Sequence, residues 1–192
     1  MADISEVNIL FYEDTSMIVL VLYVDRLKTF LFLSKSEAME KYFIFVKNCG
    51  GSWERSDKKM LSEQLRLGWD LGRNTPRRSR IKKGDKIIFY ISGHGGMVFV
   101  GDAIAAEEPQ EIPLDSQNKY FSLPLVSFPE YWLKMMKCKL WKTAMPIKSL
   151  VESLSFFKHK RNFGGYLQGG VVEIPKQDFD FIISRSKLKK RK

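Results

Sequence analysis

Residues that hold metals or build disulfide frameworks are scarce in this sequence. Of its 192 residues, only two are cysteine and two are histidine. Cys49 lies far from Cys138, and His94 far from His159, so no group has the spacing of a zinc site. Secreted domains that depend on disulfides carry many more cysteines. We therefore expect no cofactor, reduced thiols and a cytoplasmic location.

Long hydrophobic runs are also missing. The longest apolar run, Met17–Val24, has eight residues, fewer than half of the roughly 20 that a membrane-spanning helix needs. No basic segment leads into an apolar one at the N-terminus, as it does in a secretory signal. The sequence therefore predicts no membrane association.

Acidic residues are outnumbered by basic ones. The chain has 22 Asp and Glu against 32 Lys and Arg, which gives a net charge of +10. Such an excess favours a polyanionic partner, with nucleic acid ahead of an anionic membrane surface. Aromatic residues make up 13% of the chain, and they both fill β-rich cores and stack on bases. A solvated basic surface without such a partner is the alternative interpretation of the charge.

A catalytic constellation is absent too. The sequence has no Ser/His/Asp set with supporting context, no paired carboxylates in one element and no phosphate-binding glycine loop. The Gly93–Gly96 segment lies between two strand patterns, which indicates a hairpin turn and not an oxyanion motif. We therefore expect that the protein is not an enzyme.

The clearest local pattern is a β-hairpin in the middle of the chain. Lys86–Ser92 and Met97–Ala105 are rich in β-branched and aromatic residues, the composition of buried strands. A glycine-rich turn joins them. Because strand side chains alternate, Tyr90 and Ser92 share one face and Phe89 takes the other. A ligand would contact only one of these faces, and the polar one is preferred.

The remaining elements follow from hydrophobic periodicity and turn residues. We predict strands at Asn8–Tyr12, Met17–Val24, Thr29–Leu33, Lys41–Lys47, Tyr120–Val126, Leu133–Thr143 and Val171–Ile174, and helices at Glu54–Leu67, at Ile147–Leu154 and from Pro175 onward.

Three motifs in a fixed order suggest a family. They are IKKGDKIIFYIS, VFVGDAIAAEE and, much later, LSFFKHKRNFGGYLQGGVVEIPKQDF. From about Tyr42 to Ile183 the chain resembles the EVE domain (UPF0310-type proteins), a member of the PUA-like superfamily related to YTH domains. The resemblance implies an α+β fold, a mixed β-barrel flanked by short helices. We therefore assign the domain to residues 39–183. Residues 1–38 lie outside the resemblance and are expected to be a β-rich extension, which either adds strands to the sheet or binds a partner, and residues 184–192 are expected to be a basic disordered tail.

The resemblance also implies an aromatic pocket that takes up a modified base of DNA or RNA. By position, the residues expected to line it are Asn48, Trp53, Trp69, Tyr90, Ser92 and Phe163. Trp69 follows a glycine, as a wall of the pocket does in the family, although a core position is the alternative. Family members often carry Trp after the Lys-Arg pair. Here Asn162 stands in that place, and Phe163 is the expected substitute.

Two basic loops border the predicted pocket. The residues expected to contact the nucleic-acid backbone are Arg73, Arg77, Arg78, Arg80, Lys158, Lys160 and Arg161. Contacts of this kind supply much of the affinity and make binding depend on salt.

Two other functions remain open from the sequence. Some PUA-like relatives, the ASCH group, are thought to act on RNA or nucleotides, and such an activity would need a lysine with a carboxylate or tyrosine. Lys47 and Tyr90 are the only plausible pair for it. A protein-interaction module without a nucleic-acid ligand is the third possibility, and no protein partner is assigned.

Overall fold

The computed structural model describes residues 9–14, 17–24, 27–34, 40–48, 55–93, 97–112 and 130–188. Residue contacts divide the chain into two compact units, Met1–Met39 and Glu40–Lys192. Among the described residues, no helix has the length and apolar content that a membrane crossing requires.

The first unit contains a three-stranded antiparallel sheet. Its strands, in spatial order, are β1 (Ile9–Asp14), β2 (Met17–Val24) and β3 (Leu27–Ser34). All three predicted strands of this region are present. They form a sheet of their own.

The second unit is built on a five-stranded mixed sheet with the order β10-β7-β6-β4-β11. Its strands are β4 (Tyr42–Asn48), β6 (Lys86–Ser92), β7 (Val98–Ala105), β10 (Met135–Pro146) and β11 (Val171–Ile174). β4 and β6 are parallel, and the other pairs are antiparallel. The connection from β4 to β6 contains the helix α1 (Arg55–Leu67).

A smaller sheet and two further helices complete this unit. The sheet has the order β5-β9-β8, formed by β5 (Trp69–Leu71), β8 (Gln110–Glu111) and β9 (Tyr131–Leu133). The helices are α2 (Phe163–Tyr166) and α3 (Lys176–Leu188). Two sheets and three helices in one unit make an α+β fold, as predicted.

The central strands are buried on both faces, and each face carries its own core. Along β4, Tyr42 and Ile44 enter a first core, whereas Phe43 and Phe45 enter a second. Along β6 the same alternation directs Ile88 and Tyr90 into the first core. It directs Ile87, Phe89 and Ile91 into the second. Two-sided burial explains why both strands read as continuous apolar runs in the sequence.

Different elements cover the two faces. The first core is completed from β10, the following turns and α3 by Trp141, Ile147, Leu150, Phe157 and Ile182. The second core is completed from α1 and the small sheet by Leu61, Leu65, Trp69, Leu71 and Leu133. The five-stranded sheet therefore separates the unit into two packed layers.

The predicted helix at Ile147–Leu154 was wrong. The segment forms two short 3₁₀ turns, Ile147–Ser149 and Val151–Ser153. Leu150 between them has a φ of −121°, which is outside the helical region. Its apolar residues are nevertheless buried, because two successive 3₁₀ turns bring residues three and four apart to the same side, as a helix does.

The predicted alternation along Leu133–Thr143 also failed. Lys137 has a φ of 53°, and the pairing of β10 with β7 shifts between Met136 and Lys139. Such a bulge re-aims the side chains that follow it. Trp141, predicted on an outer basic face, is therefore buried in the first core, while Met136 is 37% exposed.

The C-terminal helix is longer than expected. It follows Pro175, as predicted, but continues to Leu188, so residues 184–188 are helical and not a disordered tail. Ser184 and Ser186 each donate to the backbone carbonyl three residues earlier. The predicted strand Tyr120–Val126 and the hairpin turn at 94–96 lie outside the described residues.

We expect the second unit to fold without the first. A chain that begins at Met39 retains every strand of the five-stranded sheet and both cores. It should be soluble and show one cooperative thermal transition, close to that of the full chain, by circular dichroism. An insoluble or molten product would mean that the N-terminal strands are integral to the fold.

Candidate functional site

The two parallel strands end side by side, and this edge is the candidate site. Asn48 at the end of β4 lies opposite Ser92 at the end of β6. Carboxyl ends of parallel strands are where open α/β sheets commonly bind ligands. By strand alternation, Asn48 and Ser92 lie on the face of the first core, with Tyr90 one step behind Ser92. Lys47 lies on the opposite face.

Half-buried aromatic rings pack on the first-core side. Phe163 and Tyr166 of α2 contact the buried cluster that contains Tyr90. The centroid of Phe157 lies 5.9 Å from that of Phe163 and 5.7 Å from that of Tyr166, both edge-to-face. Asn48 and Phe163, which are far apart in sequence, thus lie on one side of the sheet. Four of the six predicted ligand residues, Asn48, Tyr90, Ser92 and Phe163, therefore lie on this side of the sheet.

A buried carboxylate positions the segment that carries these rings. Asp178 of α3 is 3% exposed. It accepts hydrogen bonds at 2.9 Å from the backbone N–H groups of Ser155 and Phe156 and from the Ser155 hydroxyl. The sequence analysis missed this role. The available signal was an acidic residue in the first turn of a helix that follows a proline.

Tyr90 is the most deeply buried polar side chain at this edge. It is 1% exposed and packs at 5.3 Å against Phe99. Burial raises the pKa of Tyr90 to about 12, and no hydrogen bond from a described residue contributes to the shift. A neutral phenol therefore faces the first core at any physiological pH.

On the opposite face, a polar cluster surrounds Lys47. Its ammonium donates to the Gln64 side-chain carbonyl and, at 3.3 Å, to Asp70. The Gln64 amide donates to the same Asp70 oxygen. Lys47 also lies 5.7 Å from the centroid of the Trp69 ring. Sequence reasoning assigned no site role to Gln64 or Asp70, because their proximity arises only when α1 and β5 pack beside β4.

Trp69 lies in the second core. It is 3% exposed, stacks on Phe89 with centroids 5.3 Å apart, and meets Phe45 edge-to-face at 5.6 Å. Gly68 before it has a φ of 138°, and a Cβ there would overlap the Trp132 indole. This close approach lets β5 pair with β9 and turns Trp69 inward. The placement fits the core alternative and leaves no open ring face for a base.

The residue pair of the enzyme alternative also lacks the arrangement expected of it. Lys47 and Tyr90, the pair required by the enzyme alternative, lie on opposite faces of the sheet. Trp53 lies outside the described residues. Within those residues, no group of His, Cys, Asp or Glu side chains is arranged to hold a metal ion.

Four of the seven predicted backbone-contacting cations are engaged within the protein. Arg73 pairs with Glu130 at 3.4 Å, and Arg80 pairs with Glu173 at 3.0 Å. Arg78 donates to two carbonyls of its own loop and lies 3.5 Å from the centroid of the Tyr131 ring. These contacts stabilise the loop conformation.

Lys160, in the second loop, is held in the same way. Its ammonium donates to the carbonyl of Leu154. The backbone N–H of His159 beside it donates to the Tyr166 hydroxyl at 3.1 Å. Both contacts fix the backbone that leads into the aromatic rings.

The other three cations have no ion pair within the part of the chain that the structure describes. Arg77, Lys158 and Arg161 are exposed. Arg77 has a φ of 60°, a conformation that costs a non-glycine residue about 1–2 kcal/mol. Its loop reaches the candidate edge, because Pro76 contacts Gly169, and the neighbouring Gly170 accepts a 2.7 Å hydrogen bond from β4.

The second unit matches a known protein family, and the chain has a relative of similar sequence. The profile of the EVE domain family matches residues 41–185. A UPF0310 protein of Pyrococcus abyssi is 30% identical over 119 residues, which cover 57% of this chain and 82% of that protein.

Two solved structures are similar to this chain at low sequence identity. A hypothetical protein from Leishmania major has a TM-score of 0.52 and 16% identity, covering 79% of this chain and 98% of that chain. The human THYN1 protein, solved in complex with 5-methylcytosine containing DNA, has a TM-score of 0.48 and 16% identity, covering 77% and 98%.

Truncating Trp69 should cost stability. Replacement of a buried Trp by Ala typically costs about 3–5 kcal/mol, and Trp69→Phe should recover part of the loss. Urea denaturation followed by circular dichroism measures both variants. A Trp69→Ala protein with the stability of the wild type and a specific ligand-binding defect would assign Trp69 to a pocket wall instead.

Tyr90 should make stability fall at alkaline pH. Because its pKa is raised from 10.0 to about 12, the folded state keeps a proton that the unfolded state loses between these values. The associated stability is complete below pH 10 and is lost as the pH rises towards 12, on the order of 2 kcal/mol.

The measurement is the free energy of unfolding of wild type and Tyr90→Phe across this range. Subtracting the Phe variant removes the titration of the other tyrosines and the lysines. Equal pH dependence of the two proteins would show that the Tyr90 phenol is not buried in solution.

Proposed function

Since this chain belongs to the EVE domain family, we propose that it binds nucleic acid and takes up a modified base at the carboxyl edge of β4 and β6. Its fold is the α+β, PUA-like one expected from that membership. The proposal concerns the second unit, which contains every residue of the candidate edge.

One juxtaposition carries the proposal. Two polar side chains, Asn48 and Ser92, end the two strands on the side of the first core, with the buried Tyr90 behind Ser92, and the half-buried rings of Phe163 and Tyr166 pack on the same core. A flipped or unpaired base offers a flat ring and a polar edge. Aromatic rings and hydrogen-bonding groups on one side of a sheet match both features.

A methyl group on the base would add a small, specific gain. Burying one CH₂-sized group contributes about 0.8 kcal/mol, which corresponds to roughly a fourfold gain in affinity. A methylated amine also loses less hydration on burial than an unmodified one. Stronger discrimination requires a hydrogen bond to the base edge, for which Asn48 and Ser92 are the proposed partners.

The cations without ion pairs are proposed to contact the phosphate backbone of the nucleic-acid strand that carries the base. Arg77, Lys158 and Arg161 are exposed and form no ion pair with another described residue, and we assign them to the rim of the base site. Each contact to a phosphate releases a counterion and steepens the salt dependence of binding. The engaged residues Arg73, Arg78, Arg80 and Lys160 are proposed to act by holding the loops.

An enzymatic role has less support. The pair that would carry it, Lys47 and Tyr90, is divided by the sheet, so one small substrate could not contact both side chains. A binding module needs no such pair.

The decisive experiment measures the affinity of the full-length protein for DNA and RNA oligomers that differ only in one modified base. We expect at least a fourfold preference for one modification, in line with the burial of a single methyl group. Equal, salt-resistant affinity for every oligomer, or no binding at all, would refute the proposal.

The aromatic variant is Phe163→Ala, with Phe181→Ala as its matched control. Both side chains are half-buried and contact the first core, but Phe181 lies on α3. Loss of a stacked ring costs about 1–3 kcal/mol, so Phe163→Ala should weaken the preferred oligomer roughly tenfold to a hundredfold. An equal loss in both variants would indicate general destabilisation.

The charge variant is Arg77→Gln with Arg161→Gln, and its control is Arg73→Gln with Arg80→Gln. Removing two phosphate contacts should lower the slope of log affinity against log salt by about 1.4–1.8. The control pair removes the same charge but breaks ion pairs that hold the loop and no phosphate contact, so its affinity can fall while its salt slope should stay unchanged. Equal slopes for both double variants would exclude Arg77 and Arg161 from the interface.

A further inference from the structure

A second basic surface lies between α1 and β10. It is a groove with a volume of about 630 Å³. Leu65, Met135 and Leu140 line it, and all three belong to the second core or pack against it. The aromatic rings of the candidate edge pack on the first core. The groove is therefore distinct from the site of the proposed base.

The charged residues lining this groove all have one sign. Lys58, Lys59, Arg66 and Lys137 contribute cations, and no carboxylate lines it. None of the four forms an ion pair with another described residue, although Lys58 donates to the Trp141 carbonyl at 3.2 Å. A set of neighbouring like charges without counter-charges is costly unless an external anion neutralises it.

Each wall of the groove holds its cations at defined positions. Lys59, Ser62 and Arg66 are separated by three and four residues, which places them along one face of α1. On the opposite wall, Lys137 occupies the bulge of β10 with a φ of 53°. Glycine adopts that conformation at lower cost. The lysine there supplies a charge that a glycine would not.

We propose that this groove binds the sugar–phosphate backbone of a nucleic-acid strand and so extends the footprint beyond the base site. The inference rests on the proposed function. The row from Lys59 to Arg66 runs about 10 Å along the helix, which suits a polymer of repeated charges better than one small anion. The Ser62 hydroxyl adds a hydrogen-bonding group of the kind that contacts phosphate oxygens.

The test neutralises one lysine on each wall in the full-length protein. Lys59→Gln with Lys137→Gln keeps much of each side-chain stem, and Lys83→Gln with Lys187→Gln is the matched control on exposed lysines elsewhere. For an oligomer of about 20 nucleotides, the groove variant should bind at least tenfold more weakly, with a salt slope lower by about 1.4–1.8. The ratio between modified and unmodified oligomers should not change.

A cysteine inside the groove reports occupancy directly. Cys138 lines the groove and is exposed, so N-ethylmaleimide can reach its thiol. Because partial desolvation of the sulfur raises the pKa of Cys138, alkylation is followed at mildly alkaline pH by mass spectrometry of the Cys138 peptide. The oligomer of about 20 nucleotides should slow alkylation severalfold, whereas one of about five nucleotides, short enough to fill only one site, should not.

The outcomes separate the two proposals. If the wild type binds oligomers but the groove variant binds as tightly as its control and Cys138 is not protected, the groove inference is wrong and the proposed function stands. If the wild type binds no oligomer, both fail. If poly-glutamate slows the alkylation of Cys138 to the same extent as the long oligomer does, the groove binds an acidic polypeptide and the nucleic-acid assignment is wrong.

Discussion

The parallel pairing of β4 with β6 is the constraint on which the rest of this structure depends. Parallel strands need a long connection, which here contains α1 and β5. They are also buried on both faces, so each residue is committed to one of two cores by the parity of its position. The edge where the two strands end therefore has two chemically different sides, an aromatic one and one built around Lys47.

That division also organises the charge of the protein. Cations that stabilise loops are tied to carboxylates, carbonyls or a tyrosine ring, as Arg78, Arg80 and Lys160 are. Others form no ion pair with a described residue, including Arg77, Lys158 and Arg161 in the two basic loops and the four cations that line the groove between α1 and β10. The net charge of +10 alone does not reveal which of these basic residues are available to an external partner.

Much of the fold was predictable because its signals are local. Short runs of residues with a clear period predicted the central hairpin, β4, α1 and the strand at Val171–Ile174. Predictions failed where local geometry departs from that period. The bulge at Lys137 reversed the expected faces of β10, and Leu150 divided an expected helix into two turns. Neither position, Lys137 or Leu150, carries a proline or glycine that would mark the change in the sequence.

The sequence by itself determined the family, the α+β class, the excess of positive charge and the faces of the hairpin residues, because composition, motif order and strand alternation need no partner elements. Only the tertiary structure decided which side chains meet. Asn48 and Phe163 come to one side of the sheet, Trp69 is turned into the opposite core, and Asp178 reaches across to hold the aromatic segment. These relations depend on how distant elements pack, and hydrophobic periodicity specifies that an element is buried but not what covers it.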